Sequence, residues 1–156
     1  MTFFNPFGLV FMILIMIPNI IYAVKCKKNG VYDFGNLPQA KFWKILEVFE
    51  QIGRYGCFSC MIFNIPGTCF GFASDNSFAI YLIVDCILVF AYCDIWIFCF
   101  KKNNLKQSLF TAILLSVLPS LVFLFSGILS RSLLLILFSL IFAPCHIGIS
   151  VKGRNV

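Results

Sequence analysis

Charged residues are what this sequence has least of. They make up 12% of its 156 residues, six acidic and twelve basic, and there is a single histidine. A soluble domain carries about twice that share, because charges cover its water-facing surface. The composition therefore disfavours a soluble globular domain and a disordered chain. It also disfavours a nucleic-acid-binding module, despite the net charge of +6.

Catalytic and ligand-binding signatures are also lacking. The sequence has no glycine-rich phosphate loop, no nucleophile elbow, no His-Glu-x-x-His and no Ser/His/Asp set. One histidine does not by itself indicate zinc, whose structural sites take four ligands. We therefore expect no metal and no cofactor. An enzyme stays open but is disfavoured.

Long apolar runs take the place of charge. Hydrophobic residues make up 61% of the chain, and the mean hydropathy is +0.98. A bilayer core of about 30 Å needs about 20 apolar helical residues. Five windows reach about that length: 7–24, 55–73, 78–100, 108–126 and 132–151. We expect an all-α, polytopic membrane helix bundle of five transmembrane helices, forming a single membrane domain over residues 1–156. The first helix should stay uncleaved, because the basic run Lys25–Lys28 follows it.

The second window differs from the others, since Asn64, Pro66 and Gly67 interrupt it. Four transmembrane helices plus one half-inserted segment is the alternative arrangement. Backbone groups freed by proline need partners, so this segment should pack against neighbouring helices. Just before it, residues 41–54 combine helical apolar spacing with a polar stripe, which predicts an interfacial helix.

Basic residues predict the orientation. Lysine and arginine collect in cytoplasmic loops, and ten of the twelve lie in three alternate segments: 25–44, 101–106 and 152–154. The opposite side has only Arg131. We expect a multi-pass protein of the plasma membrane, with the N-terminus outside and the C-terminus cytoplasmic. The positive charge then indicates attraction to anionic lipid rather than to nucleic acid.

Polar residues within the apolar windows are candidates for function, because ionisable groups are costly in a bilayer. Asp94 and His146 lie about 7 Å to the cytoplasmic side of their window midpoints, and Asn19 about 5 Å. Three helices thus contribute to one layer, in which we expect Asp94 to reach His146. Such a pair can relay a proton near neutral pH, or it can be a hydrogen bond that holds helices together. Both interpretations stay open.

A second polar layer is expected on the outer side. Asp85 lies about 6 Å outward of its window midpoint, and Thr68 and Ser120 reach about the same depth. Asp85 and Asp94 are nine residues apart, so they point to opposite sides of one helix. They cannot act together as an acid and a base on one face.

Two closer pairs stand near the predicted cytoplasmic interface. Glu50 and Arg54 have the i,i+4 spacing of a helical ion pair, which contributes little when exposed. Cys57 and Cys60 form a Cys-x-x-Cys, as in thiol oxidoreductases, but the cytoplasmic side is reducing. Free cysteines in apolar helices otherwise behave as small hydrophobic residues.

Several strings resemble those of a set of small bacterial membrane proteins with no assigned activity. They are Asn5-Pro-Phe-Gly8, Met16-Ile-Pro-Asn-Ile-Ile-Tyr-Ala23, Glu50-Gln-Ile-Gly-Arg-Tyr-Gly-Cys57, Met61-Ile-Phe-Asn-Ile-Pro-Gly67 and Ala143-Pro-Cys-His146. The resemblance covers most of the chain and implies a membrane location, without an activity.

Three functions fit these features. The first is a small transporter, channel or transporter subunit that uses the intramembrane Asp and His, a class in which proline-broken helices are common. The second is a non-catalytic membrane accessory or assembly protein, and the third is an intramembrane thiol oxidoreductase. Because five short helices enclose little space, the first function calls for a homo-oligomer or a membrane-protein partner. The lipid bilayer, including anionic lipid, is the other expected partner.

Overall fold

The computed structural model describes residues 3–29, 41–101 and 108–152. These residues form five α-helices. Their bounds are α1 Pro6–Asn29, α2 Lys41–Ile62, α3 Asp75–Lys101, α4 Leu109–Leu129 and α5 Leu133–Lys152. The prediction of an all-α fold is confirmed for this part of the chain.

Four of the helices are long and apolar enough to cross a membrane: Pro6–Lys25 within α1, and the whole of α3, α4 and α5. Helix α2 is the exception, because it carries five charged residues between its start and Arg54: Lys41, Lys44, Glu47, Glu50 and Arg54. The second apolar window, 55–73, begins inside this charged helix.

Helix α2 runs without a break from Lys41 to Ile62. The expected interfacial helix and the start of the second window are therefore one element. The rest of that window, from Phe63 to Ala73, is not helical. Pro66 has no N–H to donate, and Gly67 has a φ of 82°, a left-handed conformation that favours glycine. The window 55–73 thus divides into a helix end and a turn.

The helices form a closed ring. Each packs against two neighbours in the order α1, α3, α4, α5, α2, and α4 also contacts α2 across the interior. Helix α4 is the most enclosed of the four apolar helices. Its small residues Ala112, Ser116 and Ser120 are all buried, which lets neighbouring helices approach closely. Apolar side chains from all five helices fill the interior.

Helices α2 and α5 are antiparallel and packed along their full length. A Cβ atom at Gly53 would lie 2.9 Å from the backbone of Phe142, and one at Gly56 would overlap the Phe138 ring. At one end, Lys152 Nζ lies 5.8 Å from the Trp43 ring centroid. At the other, Leu133 N–H donates to the Thr68 carbonyl at 2.9 Å. Helix α2 and the turn after it therefore extend as far as α5 does.

The two ends of the bundle differ in charge. At the first, the turn end, the segment after α2 docks on the α4–α5 turn, where Phe70 N–H donates to the Arg131 carbonyl at 3.2 Å. At the second, the basic end, Lys25 Nζ lies 4.8 Å from the Phe100 ring centroid. Besides Lys25, four lysines whose side chains are described belong to the basic end: Lys41, Lys44, Lys101 and Lys152. Arg131 is the described basic residue of the turn end.

Candidate functional site

The α2–α5 seam encloses a buried carboxylate with two basic partners. Glu50 on α2 is 3% exposed. One of its oxygens, Oε1, pairs with the Arg54 guanidinium one turn along the same helix. The same oxygen lies 3.0 Å from Nδ1 of His146 on α5. We call Glu50, Arg54 and His146 the seam cluster.

Close packing of the two helices positions this cluster. Gly53 lets the backbone of α5 approach at Phe142, and His146 lies one turn beyond, opposite Glu50. The His146 ring stacks on the Phe142 ring, with centroids 4.6 Å apart and planes 19° apart. Stacking on one face and a hydrogen bond at one edge hold the imidazole in a single orientation.

Both basic partners favour the ionised form of Glu50. The Arg54 guanidinium and the His146 ring nitrogen Nδ1 both contact Oε1. Nearby positive charge and hydrogen bonding stabilise a carboxylate over the neutral acid. The Arg54 and His146 side chains are 36% and 24% exposed, against 4% for Glu50. The imidazole is therefore more accessible than the carboxylate from outside the bundle.

The expected contact between Asp94 and His146 is not formed. Asp94 is exposed on α3, between the exposed residues Phe90 and Ile97 of the same face. Helix α4 lies between α3 and α5 in the ring, so equal depth does not bring the two side chains together. In the structure Glu50 takes the place that the sequence assigned to Asp94.

Asn19 also has other partners. Its Nδ2 donates to the Ile15 carbonyl at 3.1 Å, and its Oδ1 accepts from the Tyr92 hydroxyl at 2.8 Å. Asn19 therefore links α1 to α3 instead of facing His146. The inner layer of Asn19, Asp94 and His146 expected from depth is thus not assembled as a layer.

The three residues of the expected outer layer, Asp85, Thr68 and Ser120, do not hydrogen-bond to one another either. Asp85 is fully buried and accepts a hydrogen bond of 2.5 Å from Ser126 on α4. Thr68 donates to the Ile65 carbonyl, and Ser120 donates to the Ser116 carbonyl. These two hydroxyls bond to their own segments, so depth again did not identify the partner of Asp85.

Glu50 and Arg54 form the ion pair that their spacing predicts, but not at an exposed interface. From the sequence, His146 was expected to contact Asp94, so its contact with Glu50 and the burial of Glu50 were not predicted. Gly53 and Gly56 were the available signal, because small residues three apart on one helix face mark close helix packing. A carboxylate next to such a face is enclosed by the opposing helix.

The Cys-x-x-Cys pair packs inside the bundle. Cys57 is 0% exposed and Cys60 is 5% exposed, and both carry free thiols. Within the described ranges, no three His, Cys, Asp or Glu side chains are grouped closely enough to hold a metal ion.

Comparisons of the chain with protein-family models, curated proteins and solved structures return no match. The geometry of the bundle and of the seam cluster is therefore what indicates a function.

Proposed function

We propose that the chain is a multi-pass protein of the plasma membrane in which all five helices cross the bilayer. Four helices have the length and hydropathy for this. The remaining helix, α2, lies alongside α5 from end to end, so both helices occupy the same depth in the bilayer. Its most central acidic group, Glu50, is enclosed between helices and has charged partners, as an ionisable group in a membrane requires.

We also propose that the N-terminus is outside and the C-terminus is cytoplasmic. Five lysines with described side chains lie at the basic end, against one arginine at the turn end. By the positive-inside rule, this difference supports a cytoplasmic basic end. Trp43, Trp96 and Tyr22 lie near the same end, where amphipathic rings prefer the interface. A reporter fused after Val156 should be active only in the cytoplasm, and a tag before Met1 should be accessible from outside. The opposite result would contradict the five-span arrangement.

For activity, we propose a small transporter, or a transporter subunit, that uses the Glu50–His146 pair to exchange protons. The observation that carries this is the 3.0 Å contact between Glu50 Oε1 and His146 Nδ1 across α2 and α5. With α5 centred on the bilayer, His146 lies about 5 Å from the midplane. Ionisable groups at such depth are rare in membrane proteins and mark ion and proton pathways.

The chemistry of the cluster follows from its charges. Arg54 keeps Glu50 ionised, so a proton that enters the cluster is taken by the imidazole of His146. A protonated His146 donates to Glu50 through Nδ1, while its Nε2 can exchange a proton with water. Each protonation therefore changes the attraction between α2 and α5, which gives a coupling between proton binding and helix position.

Reconstituted liposomes test the activity. Vesicles with an internal pH dye and an imposed pH difference should dissipate it faster with wild-type protein than without. Glu50→Gln and His146→Gln should reduce the rate at least tenfold, because each removes one member of the pair. Glu47→Gln is the matched control, since it removes a carboxylate one turn away on the same helix. Equal rates for Glu50→Gln and wild type would contradict the proposal.

A non-catalytic membrane accessory protein is the second candidate. An apolar groove between α1 and α2, lined by Met12, Met16, Phe58 and Ile62 among others, favours it. In that role the seam cluster only holds α2 to α5. The purified protein would then give no flux above empty vesicles, and its native mass would show whether it assembles with copies of itself.

A further inference from the structure

A second carboxyl group, Asp85, is buried in a quite different setting. It lies on the inner face of α3, one turn after Tyr81 and one turn before Val89, and both neighbours are buried as well. Its exposed fraction is 0%. Only one polar contact reaches it in the described structure: the Ser126 hydroxyl donates to Oδ2 at 2.5 Å, while Oδ1 is buried without a hydrogen-bond partner.

No cation accompanies this carboxyl group among the described residues. The described ion pairs both involve Glu50, and none involves Asp85. Helix α4, which packs on this face of α3, contains no Asp, Glu, Lys, Arg, His, Cys or Tyr. The ionisable residues of α1 begin at Tyr22, near the opposite end of the bundle. On α3 itself, Tyr81 and Cys86 lie within a turn of Asp85, and neither supplies positive charge.

Helix α4 makes a negative charge at Asp85 still less favourable. Ser126 lies in the last turn of α4, which ends at Leu129. The aligned peptide dipoles of a helix give its C-terminus partial negative charge, which disfavours an anion beside it. An ionised Asp85 would thus be a desolvated anion next to a negative helix end, with one hydroxyl to stabilise it. Leaving a buried charge unpaired costs several kcal/mol, and such groups are neutralised instead.

We propose that Asp85 is a proton-binding site of the bundle, which holds an exchangeable proton on its carboxyl group at neutral pH. The alternative way to neutralise it is a bound sodium ion. Sodium would need several oxygen ligands, and the described contacts of Asp85 supply only its own carboxylate and the Ser126 hydroxyl. A proton needs no such shell. This site is separate from the seam cluster, because Asp85 lies on α3 and neither α2 nor α5 contributes to it.

Infrared absorption tests this proposal on the full chain in an alkyl maltoside, a detergent without a carbonyl group. A protonated carboxyl absorbs apart from a carboxylate, and the chain has only six acidic residues. At pH 7 the wild type should show an acid carbonyl band, and transfer to deuterated water should shift it. Asp85→Asn should remove this band. Asp94→Asn is the matched control on the same helix and should leave the band unchanged.

Two further measurements keep the proposal falsifiable if Asp85→Asn does not fold. Ser126→Ala retains the acid but removes its hydrogen bond, so the acid band should move to higher frequency. Raising the sodium concentration at constant pH should leave the band unchanged. A wild-type spectrum without an acid band at pH 7, or a band that sodium abolishes, would overturn the proton site.

Discussion

Two seams of the bundle each bury a carboxyl group, and they stabilise it in opposite ways. In the α2–α5 seam, Glu50 is held by an arginine and a histidine. In the α3–α4 seam, Asp85 is as deeply buried but has one serine hydroxyl. The first arrangement supplies positive charge to an anion. The second supplies none, which favours the neutral acid.

The difference shows what each helix has to provide. Helix α2 carries enough charge to fail the hydropathy criterion for a membrane span, and its glycines bring α5 close enough to share the Glu50 charge. Helix α3 meets that criterion, and its partner α4 has no ionisable residue. A carboxyl group is therefore tolerated in both seams, but only the α2–α5 seam supplies it with basic partners.

The largest expected effect comes from separating α2 and α5. Gly53→Ala places a Cβ 2.9 Å from the Phe142 backbone, which cannot move aside as a flexible side chain would. We expect the free energy of unfolding to fall by about 2–3 kcal/mol, the usual cost of overpacking. Thermal unfolding in detergent measures this.

Gly148→Ala is the control for that experiment on the same seam. Its Cβ would lie 3.6 Å from Leu46 Cδ2, an ordinary van der Waals contact. We expect almost no loss of stability. Equal losses for the two variants would mean that the seam is not closely packed at Gly53.

Removing the charge of Glu50 should have the next largest effect. Glu50→Gln keeps the shape of the side chain but leaves Arg54 and His146 without their anion. Because Arg54 and His146 are partly exposed and can change orientation, we expect a loss of about 1–2 kcal/mol rather than the full cost of a broken buried pair. Glu47→Gln should change the free energy of unfolding by less than about 0.5 kcal/mol. The same thermal unfolding assay compares the two.

The smallest effect is expected in the α3–α4 seam. Ser126→Ala removes the hydroxyl that bonds to Asp85, and a hydrogen bond to a neutral group contributes about 1 kcal/mol. Ser120→Ala is the control, because its hydroxyl bonds only within α4 in the described structure. Unfolding by detergent titration should show a loss for Ser126→Ala alone. A loss well above that of Glu50→Gln would indicate an ionised Asp85.

Helix positions could be predicted from the sequence because apolar length alone decides them. Windows 78–100, 108–126 and 132–151 match α3, α4 and α5 within a few residues. The prediction of a single helix over the second window, 55–73, was wrong in its second half. Mean hydropathy averages across Pro66 and Gly67, where the backbone turns. The charged residues before it belong to the same helix as its apolar start.

Side-chain partners on different helices could not be predicted, because the depth of a residue along its helix does not show where that helix lies around the bundle. Asp94 and His146 share a depth but are separated by α4. Glu50 was assigned to an exposed surface, since its own helix is polar there. Its burial results from α5, which is distant in sequence and approaches only because Gly53 and Gly56 have no side chains.

A double-mutant cycle on Glu50 and His146 tests the central claim most directly, namely that the two residues interact across the α2–α5 seam. Glu50→Gln removes the carboxylate, and His146→Phe keeps an aromatic ring against Phe142 while removing its nitrogens. The account predicts a coupling of about 1 kcal/mol or more between the two changes, measured from the free energies of unfolding of the four proteins. Additivity within about 0.5 kcal/mol would contradict it, because independent residues cannot form a proton-exchanging pair.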